Sequence, residues 1–368
     1  MDRNKVIIRT SIVGIVANVF LAAFKAAVGL ASHSIAVVLD AVNNLSDALS
    51  SIVTIIGTKI ANKVPDKKHP LGHGRVEYIS AMLVSALVIY AGVTSLVESV
   101  KKIINPETPD YSVVSLIIIA SAVIVKILLG RYVKAQGEKV NSGSLIASGS
   151  DATFDAILSA SVLLSAVIFM TTGLSLEAYV GLVISFFIIK AGYEMISDTV
   201  SEIIGKRADK ELTDRIKELI REEEPVRGAY DLLINNYGPD KNIASVHIEV
   251  PDTMTVDELD VLTRKITAKV FAETGVIMSG IGVYSYNTKN AEISAIRDNI
   301  IEKVMSHEWA LQLHGFYADL KQKTLRFDVV MSFDIPPREG IAIITSEVQE
   351  MYPDYEVTVS PDVDLTDL

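Results

Sequence analysis

The first half of the chain contains six long apolar segments separated by short polar connections. Each segment holds roughly 20 or more mostly apolar residues, the length that an α-helix needs to cross the hydrocarbon core of a bilayer. The segments run approximately over Val6–Leu30, Ile35–Ala61, Val76–Val100, Val113–Tyr132, Ser144–Met170 and Leu176–Val200. The pattern therefore predicts a domain of six transmembrane helices over residues 1–207.

After Ala208 the apolar positions follow shorter periods. The spacing predicts helix, strand, strand, helix and strand, and then the same order again. The first set covers Asp209–Glu223, Ala229–Asn236, Ile243–Val250, Val256–Glu273 and Val276–Tyr286, and the second covers Glu292–Met305, Leu311–Leu320, Thr324–Phe333, Gly340–Met351 and Glu356–Ser360. The predicted fold is thus a six-helix transmembrane domain followed by a cytoplasmic α+β domain (ferredoxin-like, αββαβ) in two tandem copies, over residues 208–288 and 289–368. One larger irregular domain is the alternative.

Charge divides the chain at the same place. Residues 1–207 contain 18 Lys and Arg against 15 Asp and Glu, whereas residues 208–368 contain 16 against 30. An acidic second half lacks the basic surface that nucleic acids require, so no nucleic-acid partner is expected. The chain has no Cys, which excludes disulfides and thiolate metal sites.

Basic residues are unevenly distributed among the connections between the apolar segments. They concentrate at the N-terminus, in the second and fourth connections and after the sixth segment, and the first and fifth connections have none. By the positive-inside rule, both termini should face the cytoplasm of a multi-pass protein of the inner or plasma membrane. The first apolar run is too long for the core of a cleaved signal peptide, which spans about 7–15 residues.

Four oxygen-bearing side chains within the apolar segments stand out. Asn43 and Asp47 lie in the second segment and Asp151 and Asp155 in the fifth, each pair four residues apart and so on one helical face. Carboxylates at membrane depth are costly and indicate function by default. Together they predict a divalent-cation site, and polar packing between helices is the alternative. Asp40 lies on the same stripe, one turn before Asn43.

The ligand types bear on which metal would bind. Asn43 offers a carbonyl oxygen and the three aspartates offer carboxylates, with no imidazole or thiolate. Zinc sites favour His and Cys, whereas all-oxygen sites suit harder ions. We therefore expect Mn²⁺ or Fe²⁺ ahead of Zn²⁺. No cofactor is expected, because the metal would be cargo.

Two further places could bind metal. Asp66, His69 and His73 lie in the second connection, where a turn would bring two imidazoles and a carboxylate together; a basic loop that anchors the helix ends is the alternative. His247 lies in a predicted strand, where a lone His is more often a surface or core residue than a ligand.

These motifs together resemble the cation diffusion facilitator family. The resemblance rests on six spans, on Asn-Asn-Leu-Ser-Asp at 43–47, His-Pro-Leu-Gly-His-Gly at 69–74 and Asp-x-x-x-Asp at 151–155, and on the segments 231–238 and 245–249. It implies export of divalent metal in exchange for protons by alternating access, usually as a homodimer. It also implies a transport site at Asn43, Asp47, Asp151 and Asp155, in a pattern similar to the manganese branch.

The chain departs from the family's zinc members in three respects. Arg75 matches a basic residue that pairs with an acid after the sixth span, where this chain has Gly205. Of the ligands of the cytoplasmic metal site only His247 matches, since Tyr284 and Tyr286 occupy the last strand. The second α+β copy is an addition to the short family form. Its acidic tail is interpreted as solvated charge rather than a weak metal sensor, and it comprises Asp362, Asp364 and Asp367.

The sequence thus predicts a proton-coupled exporter of Mn²⁺, with Fe²⁺ possible, and no catalytic activity. A zinc or cadmium exporter of the same family is the first alternative. A membrane-anchored metal sensor that does not transport is a second, and a passive channel is a third. An ATP-driven pump is not expected, because the chain has no Gly-x-x-x-x-Gly-Lys-Ser/Thr phosphate loop.

Overall fold

The computed structural model describes residues 3–31, 35–105, 113–172, 176–239 and 241–365. Within these ranges it contains ten α-helices and six β-strands. The elements form two compact units. The first contains the first six helices together with the turn at residues 237–240, and the second contains the remaining helices and both sheets.

Each of the six apolar segments forms a helix. The helices are α1 (Arg3–Ala31), α2 (Ile35–Ala61), α3 (Val76–Ile104), α4 (Val113–Lys139), α5 (Gly143–Thr172) and α6 (Glu177–Ile204). By length and composition, five of them, all but α2, are apolar enough to cross a membrane. Many side chains in the first half of α2 lie outside the described residues, so its membrane span stays a prediction.

Helices α4 and α5 pack with their backbones in contact. A Cβ atom added at Gly149 of α5 would lie 2.5 Å from the backbone nitrogen of Lys134 in α4. At Gly137 of α4 it would lie 2.8 Å from the backbone nitrogen of Ile146 in α5. Only glycine permits so close an approach. Gly137 and Gly149 therefore allow a short distance between α4 and α5, and side chains of the two helices can contact each other across it.

A buried ion pair links α1 to α3. The two terminal guanidinium nitrogens of Arg3, Nη1 and Nη2, donate to the carboxylate of Glu77 at 2.8 and 2.6 Å. The third nitrogen, Nε, donates to the carbonyl of Val140 at 2.7 Å. The side chain of Glu77 is only 3% exposed. Bidentate pairs of this kind have defined geometry as well as strength. Arg3 therefore connects the start of α1 to α3 and to the connection between α4 and α5.

The second unit begins with an α-β-β-α-β arrangement. Its elements are α7 (Lys210–Arg221), β1 (Gly228–Asn236), β2 (Asn242–Pro251), α8 (Val256–Thr274) and β3 (Ile277–Tyr286). The strand order is β1-β2-β3, with β1 antiparallel and β3 parallel to β2. Asp209 caps α7, a Thr255–Glu258 capping box begins α8, and Gly275 ends α8 at φ +71°.

The same order of elements then recurs. It consists of α9 (Ala291–Val304), β4 (Ala310–Asp319), β5 (Thr324–Met331), α10 (Pro337–Met351) and β6 (Glu356–Val363), with strand order β4-β5-β6. Each half has its own apolar core, around Ile248 and Ile266 in the first and Phe327 and Ile344 in the second. The domain boundaries at 207 and 288 stay predictions.

The two sheets share an irregularity at corresponding positions. The β1–β2 register shifts after the pair Tyr230–His247, and the β4–β5 register shifts after the pair His314–Asp328. The next residue has a left-handed backbone in both strands, with φ +52° at Asp231 and +63° at Gly315. Glycine adopts this conformation readily, whereas Asp adopts it at a cost. The bulge is thus common to both halves, but only one of them carries a side chain there.

The Arg3–Glu77 pair gives a stability prediction. Replacing Glu77 with Gln should lower the thermal stability of the detergent-solubilised protein, because removal of one partner from a buried ion pair costs about 3–5 kcal/mol. Lys101→Ala changes an exposed charge on the same helix and serves as the control. Equal melting temperatures for the two variants would show that the pair does not stabilise the fold.

Candidate metal centre

A buried lysine lies between two of the carboxylates that the sequence predicts as ligands. Lys126 Nζ of α4 donates to Oδ2 of Asp47 in α2 and, at 2.9 Å, to Oδ2 of Asp155 in α5. The Lys126 side chain is only 2% exposed. Because one ammonium contacts both carboxylates, Asp47 and Asp155 are brought together from different helices.

The third predicted aspartate adjoins this pair. Asp151 lies one turn before Asp155 on α5 and has electrostatic interactions with both Asp47 and Asp155. A small cavity between α1, α2, α4 and α5 is lined by Asp47 and Asp151, and also by Gly14, Asn18, Ser50, Ser51, Leu129, Val133, Ser148 and Ala152. The three carboxylates thus form one acidic cluster beside a polar cavity inside the helix bundle.

Asn18 of α1 brings a further oxygen to the cavity. Its side chain is buried, and its Oδ1 has no hydrogen-bond partner among the described residues. Such unsatisfied buried oxygens are uncommon in folded proteins. Asn18 lies outside the motifs that identify the site in the sequence, and nothing in its spacing distinguishes it from an ordinary polar residue of the first span.

The side chains of two predicted members of the site lie outside the described residues. These members are Asn43 and Asp40, which both belong to α2. The neighbouring Asn44 is buried, and both atoms of its amide lack hydrogen-bond partners among the described residues. The assignment of Asn43 and Asp40 to the site therefore stays a prediction.

Lys126 is the main residue of this cluster that the sequence analysis misses. It lies within the fourth apolar segment, whose average apolar character conceals one charge. A lone lysine in a predicted span is itself a signal, since an ionisable residue at membrane depth usually has a function and a partner. Lys25 of α1 gives the same signal, because it is buried and interacts attractively with Asp47.

The connection between α2 and α3 brings its two histidines to one carboxylate. His69 Nδ1 lies 3.4 Å from Asp66 Oδ1, and His73 Nε2 lies 3.5 Å from Asp66 Oδ2. Metal–nitrogen bonds of about 2.0–2.1 Å place neighbouring ligand atoms roughly 3–3.5 Å apart. Hydrogen bonds from the backbone N–H groups of His69 and Lys68 hold the pKa of Asp66 below its ordinary value. The predicted triad can therefore hold a cation with its carboxylate ionised.

Comparison with known proteins identifies the family. Residues 11–204 match the cation efflux transmembrane domain, and residues 208–279 match the cytoplasmic domain of cation efflux proteins. The chain belongs to the cation diffusion facilitator family. The match covers the helices that carry Asp47, Lys126 and Asp155, so the acidic cluster lies within the part that defines this family of metal transporters.

Several curated relatives are similar over most of their length. The manganese efflux system protein MneP of Bacillus subtilis is 27% identical over 277 residues, which is 73% of this chain and 92% of the relative. The magnetosome protein MamB of Paramagnetospirillum magneticum is 25% identical over 70% of this chain and 86% of its own. Metal tolerance protein 2 of rice (Oryza sativa subsp. japonica) is 30% identical over 66% and 69%, respectively.

The second unit contains a cluster of histidine and aspartate side chains around Asp231. His247 of β2 is not isolated, because its Nδ1 lies 2.8 Å from Oδ2 of Asp231 in β1. Asp231 also contacts His314 of β4 and Asp362 of β6. Sequence spacing could not reveal this cluster, since its members lie on four strands, with neighbours in sequence at least 16 positions apart.

The interpretation of the acidic tail as solvated charge is wrong for its described residues. Asp364 is buried, and Arg207 Nη2 donates to its carbonyl oxygen at 2.8 Å and lies 3.5 Å from its carboxylate. Asp362 is partly buried, and this burial, together with the neighbouring Asp231, raises the pKa of Asp362 to about 6. Strand β6 extends past the predicted end at Ser360 to Val363, so it includes Asp362 and ends one residue before Asp364. Asp367 lies outside the described residues.

Gly205 stands where the family resemblance implies an acid in zinc members. It ends α6 with φ +121°, a backbone conformation that side chains rarely adopt. Nearby acids have other partners, since Glu202 pairs with Lys206 at 3.5 Å and Asp209 caps α7. Within the first unit, the Arg75 guanidinium packs over the ring of Tyr237, 4.7 Å from its centroid.

The position of Lys126 predicts a change in metal dependence when its charge is removed. Lys126→Met should lower the melting temperature of the metal-free protein, because the unpaired carboxylates become costly by about 3–5 kcal/mol. Added Mn²⁺ should then raise the melting temperature more than in wild type, since the metal supplies the missing charge. Lys139→Met, at an exposed lysine of the same helix, is the control. A Lys126→Met protein as stable without metal as wild type would contradict the pairing.

Proposed function

We propose that the protein exports Mn²⁺ from the cytoplasm in exchange for protons, through a site between α2 and α5. The observation that carries this proposal is that one buried ammonium contacts Asp47 and Asp155, while Asp151 interacts electrostatically with both of these carboxylates. When ionised, the three carboxylates outweigh the positive charges of Lys126 and Lys25, and the remaining negative charge suits a divalent cation. Membership of a family of cation efflux proteins supplies the direction of transport.

The choice of Mn²⁺ rests on ligand chemistry and on relatives. The described polar side chains that line the cavity offer carboxylate, amide and hydroxyl oxygens, which suit harder cations. MneP and MneS of Bacillus subtilis, both named manganese efflux system proteins, are 27% and 26% identical to this chain. Fe²⁺ has similar ligand preferences and is the second candidate cargo. An exporter of Zn²⁺ or Cd²⁺ is the alternative within the same family.

Proton coupling follows from competition at the same oxygens. The carboxylate oxygens that would bind metal already accept hydrogen bonds from Lys126. A cation that enters the site would displace this ammonium and release the protons on the acids, and protons from the opposite side would rebind the carboxylates when the metal leaves. Lys126 and the protons on the acids thus offset the carboxylate charge together when no metal is bound. Alternating access then moves metal and protons in opposite directions.

We also propose a membrane topology, an oligomeric state, a domain repeat and a second metal site. Six spans with both termini in the cytoplasm follow from the basic connections, and a homodimer follows from the family's cytoplasmic domain. The two α-β-β-α-β halves are tandem ferredoxin-like units, given their identical strand order and their bulges at matching positions. The triad of Asp66, His69 and His73 is a second, cytoplasmic cation site.

Neutralising the carboxylates tests the coupling. In inverted membrane vesicles with an imposed pH gradient, Asp47→Asn and Asp155→Asn should each abolish or strongly reduce pH-dependent Mn²⁺ uptake. Asp198→Asn, at an exposed carboxylate of α6, should transport like wild type. Full pH-dependent uptake by both site variants would rule out these aspartates as carriers. Metal binding without uptake in the wild type would instead favour a membrane-anchored sensor, and uptake independent of the pH gradient would favour a channel.

Asn43 is proposed to set selectivity more than activity. Asn43→His introduces an imidazole, a ligand that Zn²⁺ favours over an amide oxygen. The ratio of Zn²⁺ to Mn²⁺ transport, measured in vesicles by metal competition, should rise in the variant. An unchanged ratio would mean that Asn43 does not discriminate between the metals.

A further inference from the structure

The two sheets of the second unit share a cluster of imidazole and carboxylate groups. His314 Nε2 of β4 lies 2.8 Å from Oδ1 of Asp231 in β1 and 3.7 Å from Oδ2 of Asp362 in β6. One ligand atom from each of the three residues lies within 4.8 Å of the other two. The cluster therefore draws one side chain from the first sheet and two from the second.

The nitrogens of His314 have no hydrogen-bond partner that would explain their burial. The His314 side chain is completely buried, and neither ring nitrogen has a hydrogen-bond partner among the described residues. The short approach of Nε2 to Asp231 Oδ1 lacks hydrogen-bond direction, and this oxygen is also unsatisfied. Buried polar atoms without partners are rare and costly. A metal ion, which accepts lone pairs, would provide a partner for both His314 Nε2 and Asp231 Oδ1.

The spacing and chemistry fit a metal ion. Bonds of about 2.0–2.2 Å place adjacent ligand atoms roughly 3–3.5 Å apart, and the two distances from His314 Nε2, 2.8 and 3.7 Å, lie on either side of this range. One imidazole with two carboxylates suits a divalent first-row transition metal, with water completing its coordination. The positive charge would also relieve the repulsion between Asp231 and Asp362.

Neighbouring side chains hold the ligands in place. Tyr230 stacks on His314 with ring centroids 4.9 Å apart and planes 12° apart. The Tyr284 hydroxyl donates to Asp231 Oδ2 at 2.7 Å, and His247 Nδ1 lies 2.8 Å from the same oxygen. Outer contacts of this kind orient metal ligands in proteins. They leave Asp231 Oδ1 directed at His314 while Oδ2 contacts His247 and Tyr284.

The backbone at Asp231 supports a role for its side chain. Asp231 has φ +52° at the bulge in β1, and its counterpart Gly315 has φ +63° at the bulge in β4. Glycine fits this conformation without strain. The first half therefore has a carboxylate where glycine would be the easier choice, and this carboxylate lies against His314 of the other half.

We propose that a divalent transition-metal cation binds at Asp231 Oδ1, His314 Nε2 and Asp362 Oδ2 and joins the two α-β-β-α-β halves. Two of the three ligands lie beyond residue 279, where the match to the family's cytoplasmic domain ends. The site adjoins the cytoplasmic site that the family resemblance implies, since His247 and Tyr284 contact Asp231, but none of its three ligands is one of those positions. It requires the second half, and it gives that half a function of its own.

The test counts metal ions bound to the full-length protein in detergent. Co²⁺ is the probe, followed by equilibrium dialysis and by its visible absorption. Wild type should bind one more Co²⁺ per chain than His314→Ala, or bind that ion at least about 10–100-fold more tightly. His307→Ala is the matched control, because His307 belongs to the same half but contacts Glu347 instead. It should bind like wild type.

Two further variants keep the test decisive if His314→Ala does not fold. Asp231→Gly removes the carboxylate at a position whose backbone suits glycine, and Asp362→Asn changes a side chain that is 27% exposed. Each should lose the same Co²⁺ and the rise in melting temperature that Co²⁺ causes in wild type. Unchanged Co²⁺ number and affinity in the folded variants would overturn the proposal and leave the cluster as a polar contact between the halves. Metal transport does not enter this measurement, so its result is independent of the proposed function.

Discussion

The burial of charge inside the helix bundle is the constraint on which the membrane half depends. An ionised carboxylate removed from water is costly unless an opposite charge lies close to it, and here Lys126 meets Asp47 and Asp155 from a third helix. This arrangement needs α4 and α5 in close contact, which Gly137 and Gly149 permit. The contact between Lys126 and Asp155 therefore depends on the two glycines, since a wider spacing of α4 and α5 would separate these side chains.

The elements of the fold follow from local patterns, and the sequence predicts them well. Apolar length locates α1 to α6, and alternation locates the strands of both sheets to within three residues. Asp47 and Asp155 stand out because each lies four residues from another oxygen-bearing side chain on a segment with apolar flanks, and the family resemblance assigns both to one site. Lys126 could not be paired with them in this way. Its contact depends on how α4 packs, which periodicity within one helix does not specify.

The cluster of Asp231, His314 and Asp362 is still harder to predict from the sequence. Asp231, His314 and Asp362 are separated by 83 and 48 positions in the sequence, and each looks like an ordinary polar residue of its strand. Asp231 lies at the bulge of β1 and His314 directly before the bulge of β4, so two of the three residues occupy corresponding places in the two halves. The matching strands can be read from the sequence, but the bulges and the contact between the halves are tertiary features.

The two clusters differ in what balances their carboxylates when no metal is bound. In the membrane, Lys126 supplies a permanent positive charge, so a metal-free site is electrostatically tolerable and a cation can leave as well as enter. At Asp231 the neighbouring groups are imidazoles and a phenol, and an imidazole carries positive charge only after taking up a proton. A metal there has no built-in competitor of the Lys126 kind. The carboxylates beside Lys126 would therefore suit the exchange of a cation, whereas the proposed site at Asp231 would suit its retention.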